Sequence, residues 1–238
     1  MQYTEHGDLV IEYRDDPHKI VDYMLETQYS GEFCLSLNFR SEFIARLMEA
    51  GFLVMSMKFS EPGEKENFIL LPKLHLLRSA LFFENLHIKK SIRKYLDSYE
   101  LCFDTDFDFI LNRCLEIHGD AWLTSPLVNA IKIIRRLTEE NDPAGSLYKV
   151  RPVSFALYSD GKLAAGEFGI ISGRVYTSYS GYFDESNAGT VQLIKTTQYL
   201  RDNGFAFFDL GMPLDYKTAL GAQNISPEEF VRLWRDSR

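Results

Sequence analysis

Hydrophobic positions in this chain follow two rhythms, one near every third or fourth residue and one at every second, and the changes of rhythm mark its elements. Asp16-Pro17 pairs an N-cap with proline at the first helical position and predicts a helix to about Gln28. Phe33 to Asn38 alternates as a strand. Ser41 is placed to cap a second helix whose Phe43, Ile44, Leu47 and Met48 are apolar, with Gly51 closing it. Phe52–Phe59 and Phe68–Leu71 predict strands around the polar turn Ser60–Asn67.

The second half is more regular. Leu86 to Leu96 predicts a helix, with Ile88, Ile92, Tyr95 and Leu96 on one face and Lys89, Lys90, Arg93 and Lys94 elsewhere. Asp106 starts a helix that reaches His118 and stops at Gly119. Ser125-Pro126 starts another, with Leu127, Ile131, Ile134 and Leu137 inward and Lys132, Arg135 and Arg136 outward. Val153–Tyr158 and Leu163–Ile171 flank Asp160-Gly161, a hairpin turn signal. Ser172-Gly173 turns into a third strand, Arg174–Ser180. Asn187 to Asn203 predicts a helix ended by Gly204, followed by a buried strand, Phe205–Leu210. Ser226-Pro227-Glu228-Glu229 is a capping box for the last helix.

A meander, a helix and a further strand are the order of acetyltransferase-like folds. The expected class is α/β (α+β): an acetyltransferase-like mixed sheet with flanking helices over residues 85–238, and a small N-terminal α/β domain over 1–84. Fold order alone carries no chemistry.

Composition narrows the function. The formal net charge of −8 argues against a general nucleic-acid coat, although a local basic patch still steers one RNA end. No apolar run approaches the roughly 18 residues of a membrane span. The N-terminus is acidic, without the basic and apolar regions of a secretory signal. Cys34, Cys102 and Cys114 are odd in number and widely spaced, which reads as buried free thiols in a reducing compartment rather than a metal site. A cytoplasmic protein without metal or cofactor is the expectation.

Three positions or groups suggest chemistry, each beside a plainer reading. Lys89, Lys90, Arg93 and Lys94 either form a solvated helix face or neutralise RNA phosphates. Trp122 reads by composition as core, and otherwise as a platform for a base. Asp209 ends an apolar strand beside Gly211 and is either an ion-paired cap or an orienting group with a tuned pKa. His87 and His118 have no Ser or Cys partner at motif spacing, so nucleophilic catalysis is not indicated. No GxGxxG or Walker loop is present. The acidic stretch Gly181–Gly189 disfavours a CoA pyrophosphate at the helix it precedes.

From Arg78 to Phe230 the chain resembles the leucyl/phenylalanyl-tRNA–protein transferases. The residues that carry the resemblance are Leu86-His87-Ile88-Lys89, Trp122-Leu123-Thr124, the glycines Gly166, Gly169 and Gly173, Asn187-Ala188, and Ala219-Leu220-Gly221-Ala222. The resemblance implies transfer of Leu or Phe from charged tRNA to the N-terminal α-amine of an acceptor protein, with no membrane or DNA partner. It implies a catalytic role for Asp209, with Gly211 standing where the family has Gln. Tyr179 stands where the family has a carboxylate, in Ser178-Tyr179-Ser180, and Tyr216 where it has His. Asp184 or Glu185 would substitute for that carboxylate, Ser180 and the backbone near Gly211 would donate to the substrate, and Trp122 would support the aminoacyl-adenosine end. Lys89, Lys90, Arg93 and Lys94 would hold acceptor-stem phosphates. A binding protein on the same scaffold, recognising a tRNA end or a peptide N-terminus without transfer, is the alternative. A different acyltransferase is a third.

Overall fold

The computed structural model describes residues 2–59, 66–140 and 148–238. In chain order its first elements are β1 (Gln2–Tyr3), β2 (Leu9–Val10), α1 (Pro17–Glu26), β3 (Cys34–Leu35), α2 (Ser41–Glu49), β4 (Leu53–Phe59) and β5 (Asn67–Lys73). Then come β6 (Arg78–Leu81), α3 (Lys90–Arg93), β7 (Glu100–Phe103), α4 (Phe107–His118), α5 (Ser125–Glu140) and β8 (Val150–Ser159). The last are β9 (Lys162–Ser172), β10 (Val175–Phe183), α6 (Ala188–Asp202), β11 (Phe207–Gly211), α7 (Asp215–Ala219), β12 (Gln223–Ile225) and α8 (Pro227–Asp236).

Two compact units result, Met1–Leu76 with His118–Arg151, and Leu77–Ile117 with Pro152–Arg238. Where the sequence suggests one boundary at 84/85, the chain instead passes between the units three times. The reason lies in α5, whose buried Leu127, Ile131 and Ile134 belong to a helix that packs on α2.

In the first unit, Asp16 caps α1 by accepting from the His18 amide at 3.0 Å, as Asp16-Pro17 predicts. Strands β4 and β5 pair antiparallel from Leu53↔Lys73 to Phe59↔Asn67, and the expected turn between them lies, through residues 60–65, outside the described residues. Ser41 does not cap α2. It is the first helical residue, Arg40 holds the cap position without a side-chain bond, and the Ser41 hydroxyl lies 3.4 Å from that of Tyr148. Gly51 closes the helix with φ +101°, a left-handed geometry that favours glycine.

In the second unit, seven strands form one mixed sheet in the order β12-β6-β11-β10-β9-β8-β7. Asp160 and Gly161, both at positive φ, turn β8 into β9, as a type I′ hairpin requires. Helix α6 buries Val191, Ile194 and Leu200 in the clusters formed with Leu157, Phe155, Tyr176 and Phe208. On α8, Phe230 meets Phe207 edge to face at 6.4 Å. The expected α/β class, a mixed sheet with flanking helices, is what forms.

The long basic helix expected from Leu86 to Leu96 does not form. Helical geometry is confined to the four residues of α3, with single 3-10 turns at Phe83–Asn85 and Leu96–Ser98 on either side. Two features accompany this. Leu86 and Lys89 have extended backbone, ψ 112° and 139°, and the His87 amide between them donates to the Leu220 carbonyl at 2.8 Å. A continuous helix would also stack Lys89 on Arg93 and Lys90 on Lys94, like charges four residues apart. Of the cysteines, Cys34 and Cys114 are buried and Cys102 is half-buried; all three are free. Among the described residues, no helix is long and apolar enough to cross a membrane.

Candidate functional site

The sheet of the second unit forks at its centre. Strands β10 and β11 pair in parallel over Val175↔Phe207, Tyr176↔Phe208 and Thr177↔Asp209. Beyond that point no pairing continues between them. Strand β10 runs on beside β9 to Phe183, with a bulge between Ser178 and Ser180. Strand β11 ends at Gly211, where its register against β6 also shifts.

Asp209 sits at the base of the fork and is fully buried. Its carboxylate takes a bidentate pair from Arg78, Nε to Oδ1 at 2.8 Å and Nη2 to Oδ2 at 2.6 Å. Thr177 Oγ1 donates to Oδ2 at 2.7 Å and the Gly211 amide to Oδ1 at 3.0 Å. Four donors match the four lone-pair positions of a carboxylate. The guanidinium lies over the Phe230 ring at 4.4 Å. This network ties β6, β10 and β11 together at the fork, with every acceptor position of the carboxylate occupied. The Gly211 amide, expected to face an oxyanion, is spent on Asp209. Gly211 also has φ +71°, a conformation that resists any β-carbon.

Two further buried titratable groups lie in this unit, and the sequence reading missed both. Glu167, on β9, is buried at 2 % exposure. Its Oε2 accepts from Ser178 Oγ at 2.9 Å, and its Oε1 has no hydrogen-bond partner. Burial pushes this carboxyl up to about 7, against the opposing pull of the Ser178 and Thr196 hydroxyls, Lys217 and Gln192. Lys217, on α7, donates from Nζ to the carbonyls of Leu210 at 2.5 Å and Met212 at 2.9 Å, on either side of Gly211. Burial lowers its ammonium to about 8, assisted by Arg78 and opposed by Asp209 and Glu167. A visible signal existed for Glu167: it is the one acidic residue within the apolar β9 run Leu163–Ile171. No comparable signal marked Lys217, which neighbours Asp215 and Tyr216 in a polar stretch.

The other expected residues are dispersed. Tyr179 occupies the bulge of β10, its ring 6.1 Å from that of Phe168. Ser180 pairs with Phe168 across β9 and lies beside the Cys114 thiol. Asp184 is ion-paired with Arg113 at 2.9 Å, and Glu185 accepts from the Tyr99 hydroxyl at 3.0 Å. Both acids are therefore engaged away from the fork, and Glu167 is the carboxylate beside Ser178. Trp122 belongs to the first unit, where its carbonyl accepts from the Ser56 amide at 2.9 Å. Thr124 anchors the same segment through the Ser56 hydroxyl at 2.8 Å. Lys89, Lys90, Arg93 and Lys94 are exposed, with no salt bridge among the described residues. Past Gly211, Met212, Leu214 and Tyr216 are exposed apolar side chains. Among the described residues, no three metal-ligating side chains cluster.

A forked mixed sheet with a buried arginine–carboxylate clamp and two further buried titratable groups defines an α/β protein with its candidate chemistry at the strand ends. Residues 80–235 match the family described as leucyl/phenylalanyl-tRNA protein transferase, and the chain belongs to that family. Relatives include the leucyl/phenylalanyl-tRNA–protein transferase of Pseudomonas fluorescens (strain Pf0-1), 29% identical over 160 residues, with 65% of each chain covered. That of Pseudomonas putida (strain W619) is 28% identical over 159 residues, again with 65% of each chain covered. That of Campylobacter lari is 26% identical over 156 residues, covering 66% of this chain and 67% of the relative. The chain thus spans 65% of the length of the Pseudomonas relatives it matches. Among solved structures, a GCN5-related N-acetyltransferase from Kribbella flavida superposes with TM-score 0.39 at 13% identity, covering 92% of this chain and 75% of that one. L-PGS from Bacillus licheniformis superposes with TM-score 0.38 at 14% identity, covering 90% and 68%.

Proposed function

We propose that this protein transfers leucine, phenylalanine or a similar amino acid from a charged tRNA to the N-terminal α-amine of an acceptor protein, in the cytoplasm. One observation carries the reading: the family match runs from residue 80 to 235, through the strands β6 and β8 to β11 that make the fork. The chemistry asked of the site is modest. The tRNA ester is already activated, so the protein has to align two substrates, remove a proton from the amine and stabilise an oxyanion. In this reading the exposed cations Lys89, Lys90, Arg93 and Lys94 meet acceptor-stem phosphates. Tyr179 and Ser180 line the acceptor side. Exposed Met212 and Leu214 suit an apolar aminoacyl side chain. Asp209 holds the fork in shape rather than exchanging protons. The test is transfer of radiolabelled Leu or Phe from charged tRNA to peptides beginning with Arg or Lys; incorporation into the peptide is expected, and none with any charged tRNA ends the reading.

A second reading has one observation in its favour. The Asp209 carboxylate is saturated and the Gly211 amide is spent, so the positions expected to act are closed. A protein that binds a tRNA end or a peptide N-terminus without transfer fits that state. Binding of charged tRNA in the absence of any labelled peptide product would favour it.

A further inference from the structure

Ser178 is the first residue of β10 past the point where β11 leaves it, because the last parallel pair is Thr177↔Asp209. The residue is partly buried, and its hydroxyl donates to Glu167 Oε2 at 2.9 Å. Glu167 itself is shut away from solvent, and besides Ser178 only the neutral side chains of Thr196 and Gln192 and, by charge, Lys217 act on it. Opposite Gly181, Glu167 has its β-carbon within 3.1 Å of where a β-carbon would stand, so the strand pair holds its backbone closely. A hydroxyl on a partly buried residue is thus backed by a buried carboxylate at the opening of the fork.

We propose that Ser178 and Glu167 form a proton relay for aminoacyl transfer, in which the Ser178 hydroxyl meets the acceptor amine and Glu167 stores the proton. The inference rests on the transfer reading above. The step balances without a cofactor. The amine nitrogen attacks the ester carbonyl carbon, the N–C bond forms and the carbonyl electrons move to its oxygen. The nitrogen gives a proton to Ser178 Oγ as the hydroxyl proton of Ser178 passes to Glu167 Oε2. Collapse of the tetrahedral intermediate breaks the bond to the ribose oxygen, and the stored proton returns through Ser178 to that oxygen. Ser178 is the catalytic residue and Glu167 a positioning residue that acts through it.

The electrostatic surroundings suit a group that must take up and release a proton near neutrality. Burial raises Glu167 to about 7, and the Lys217 ammonium from α7 is the charge that favours its ionised form. Gln192 and Thr196 face it from α6 as neutral partners. The Tyr176 phenol on β10, the Tyr216 phenol on α7 and the Cys114 thiol on α4 are within electrostatic reach. Burial raises all three, so they stay neutral at pH 7.

Single-turnover transfer from charged tRNA to an Arg-initiated peptide between pH 5.5 and 8.5 tests the relay. The parent rate should rise through a limb near pH 7, below the roughly 7.7–8.0 at which the acceptor α-amine itself titrates. Ser178→Ala and Glu167→Gln should each lose about 10²-fold in rate, and Glu167→Gln should lose the limb near pH 7. The double variant should be no slower than the slower single variant, since both residues serve one path. A loss that is equal at every pH would mean a structural role and overturn the relay, as would single variants as fast as the parent. Should Glu167→Gln fail to fold, Ser178→Ala, at a half-exposed position, decides alone. A parent that transfers nothing overturns the transfer reading, and the relay with it. An active parent with unaffected variants overturns the relay alone.

Discussion

Asp209 on β11 and Glu167 on β9 are both buried, and only β10 separates their strands, yet their surroundings differ in kind. Asp209 accepts four hydrogen bonds, two of them from a guanidinium; Glu167 accepts from the Ser178 hydroxyl, and its other neighbours, Thr196 and Gln192, are neutral. Desolvation disfavours the charge of any buried carboxylate, and donors restore it. With its donors complete, Asp209 is an architectural residue. With few donors and a distant ammonium, Glu167 is raised to about 7, where proton exchange at neutral pH is cheap. Depth in the protein does not separate the two; the count and charge of the donors does.

The sharpest way to break this contrast is to unpair the anchor. Arg78→Met leaves the Asp209 charge buried without its partner, and breaking a buried pair in this way costs about 3–5 kcal/mol. Asp209→Asn should destabilise by a similar route, because it strands the buried guanidinium. Denaturant unfolding measures both; a change under about 1 kcal/mol for either would show that the clamp is not what holds the fork.

Glu167→Gln should move stability the other way. Folding raises this carboxyl from 4.5 to about 7, so the folded state binds the proton more tightly. Its contribution to stability is complete below pH 4.5 and is lost as pH rises through 7. Gln never ionises. The variant should therefore match the parent near pH 4 and exceed it above pH 7, by up to roughly 3 kcal/mol. Unfolding curves at the two pH values decide this, and a gain that does not grow with pH would place the proton elsewhere.

At Gly211 a smaller effect is expected. Restoring the family residue by Gly211→Gln forces an L side chain to φ +71°, at a cost of about 1–2 kcal/mol. It should lower the melting temperature without raising transfer. A stable and more active variant would mean that the turn readily adopts another backbone conformation.

The least effect on folding belongs to the outer charges. Changing Lys89, Lys90, Arg93 and Lys94 together to Ala should alter stability by no more than about 0.5 kcal/mol, since all four are exposed. If the protein binds tRNA through them, the dependence of affinity on salt should flatten by about one unit of slope for each phosphate that is no longer neutralised. Unchanged slope with tight binding would assign the phosphates to other residues.

Local chemistry made much of this architecture readable. Asp16-Pro17, Gly51, Asp160-Gly161 and Ser226-Pro227 act on the backbone within a few residues of themselves, and the elements they punctuate form where expected. The strand β11 was readable from its apolar run, and Asp209 from its place at the end of it. Reading failed where distant groups compete for the same backbone. The apolar spacing of Leu86 to Leu96 is genuine, but Leu220, more than a hundred residues on, takes the His87 amide. Ser41 has the side chain of a cap, and the chain begins the helix one residue earlier than a cap would allow.

What the sequence by itself determined is therefore the set of elements with local signals, the α/β class and the family motifs along Arg78 to Phe230. Only the tertiary structure decided which charges are spent and which are held in reserve. Arg78, Thr177 and Gly211 close on Asp209, while Ser178 closes on Glu167 and Lys217 ties itself to two carbonyls beside Gly211. The physical reason is that the charge state of a buried group depends on the donors and dielectric around it. Those come from strands and helices brought together by folding, not from neighbours in the chain.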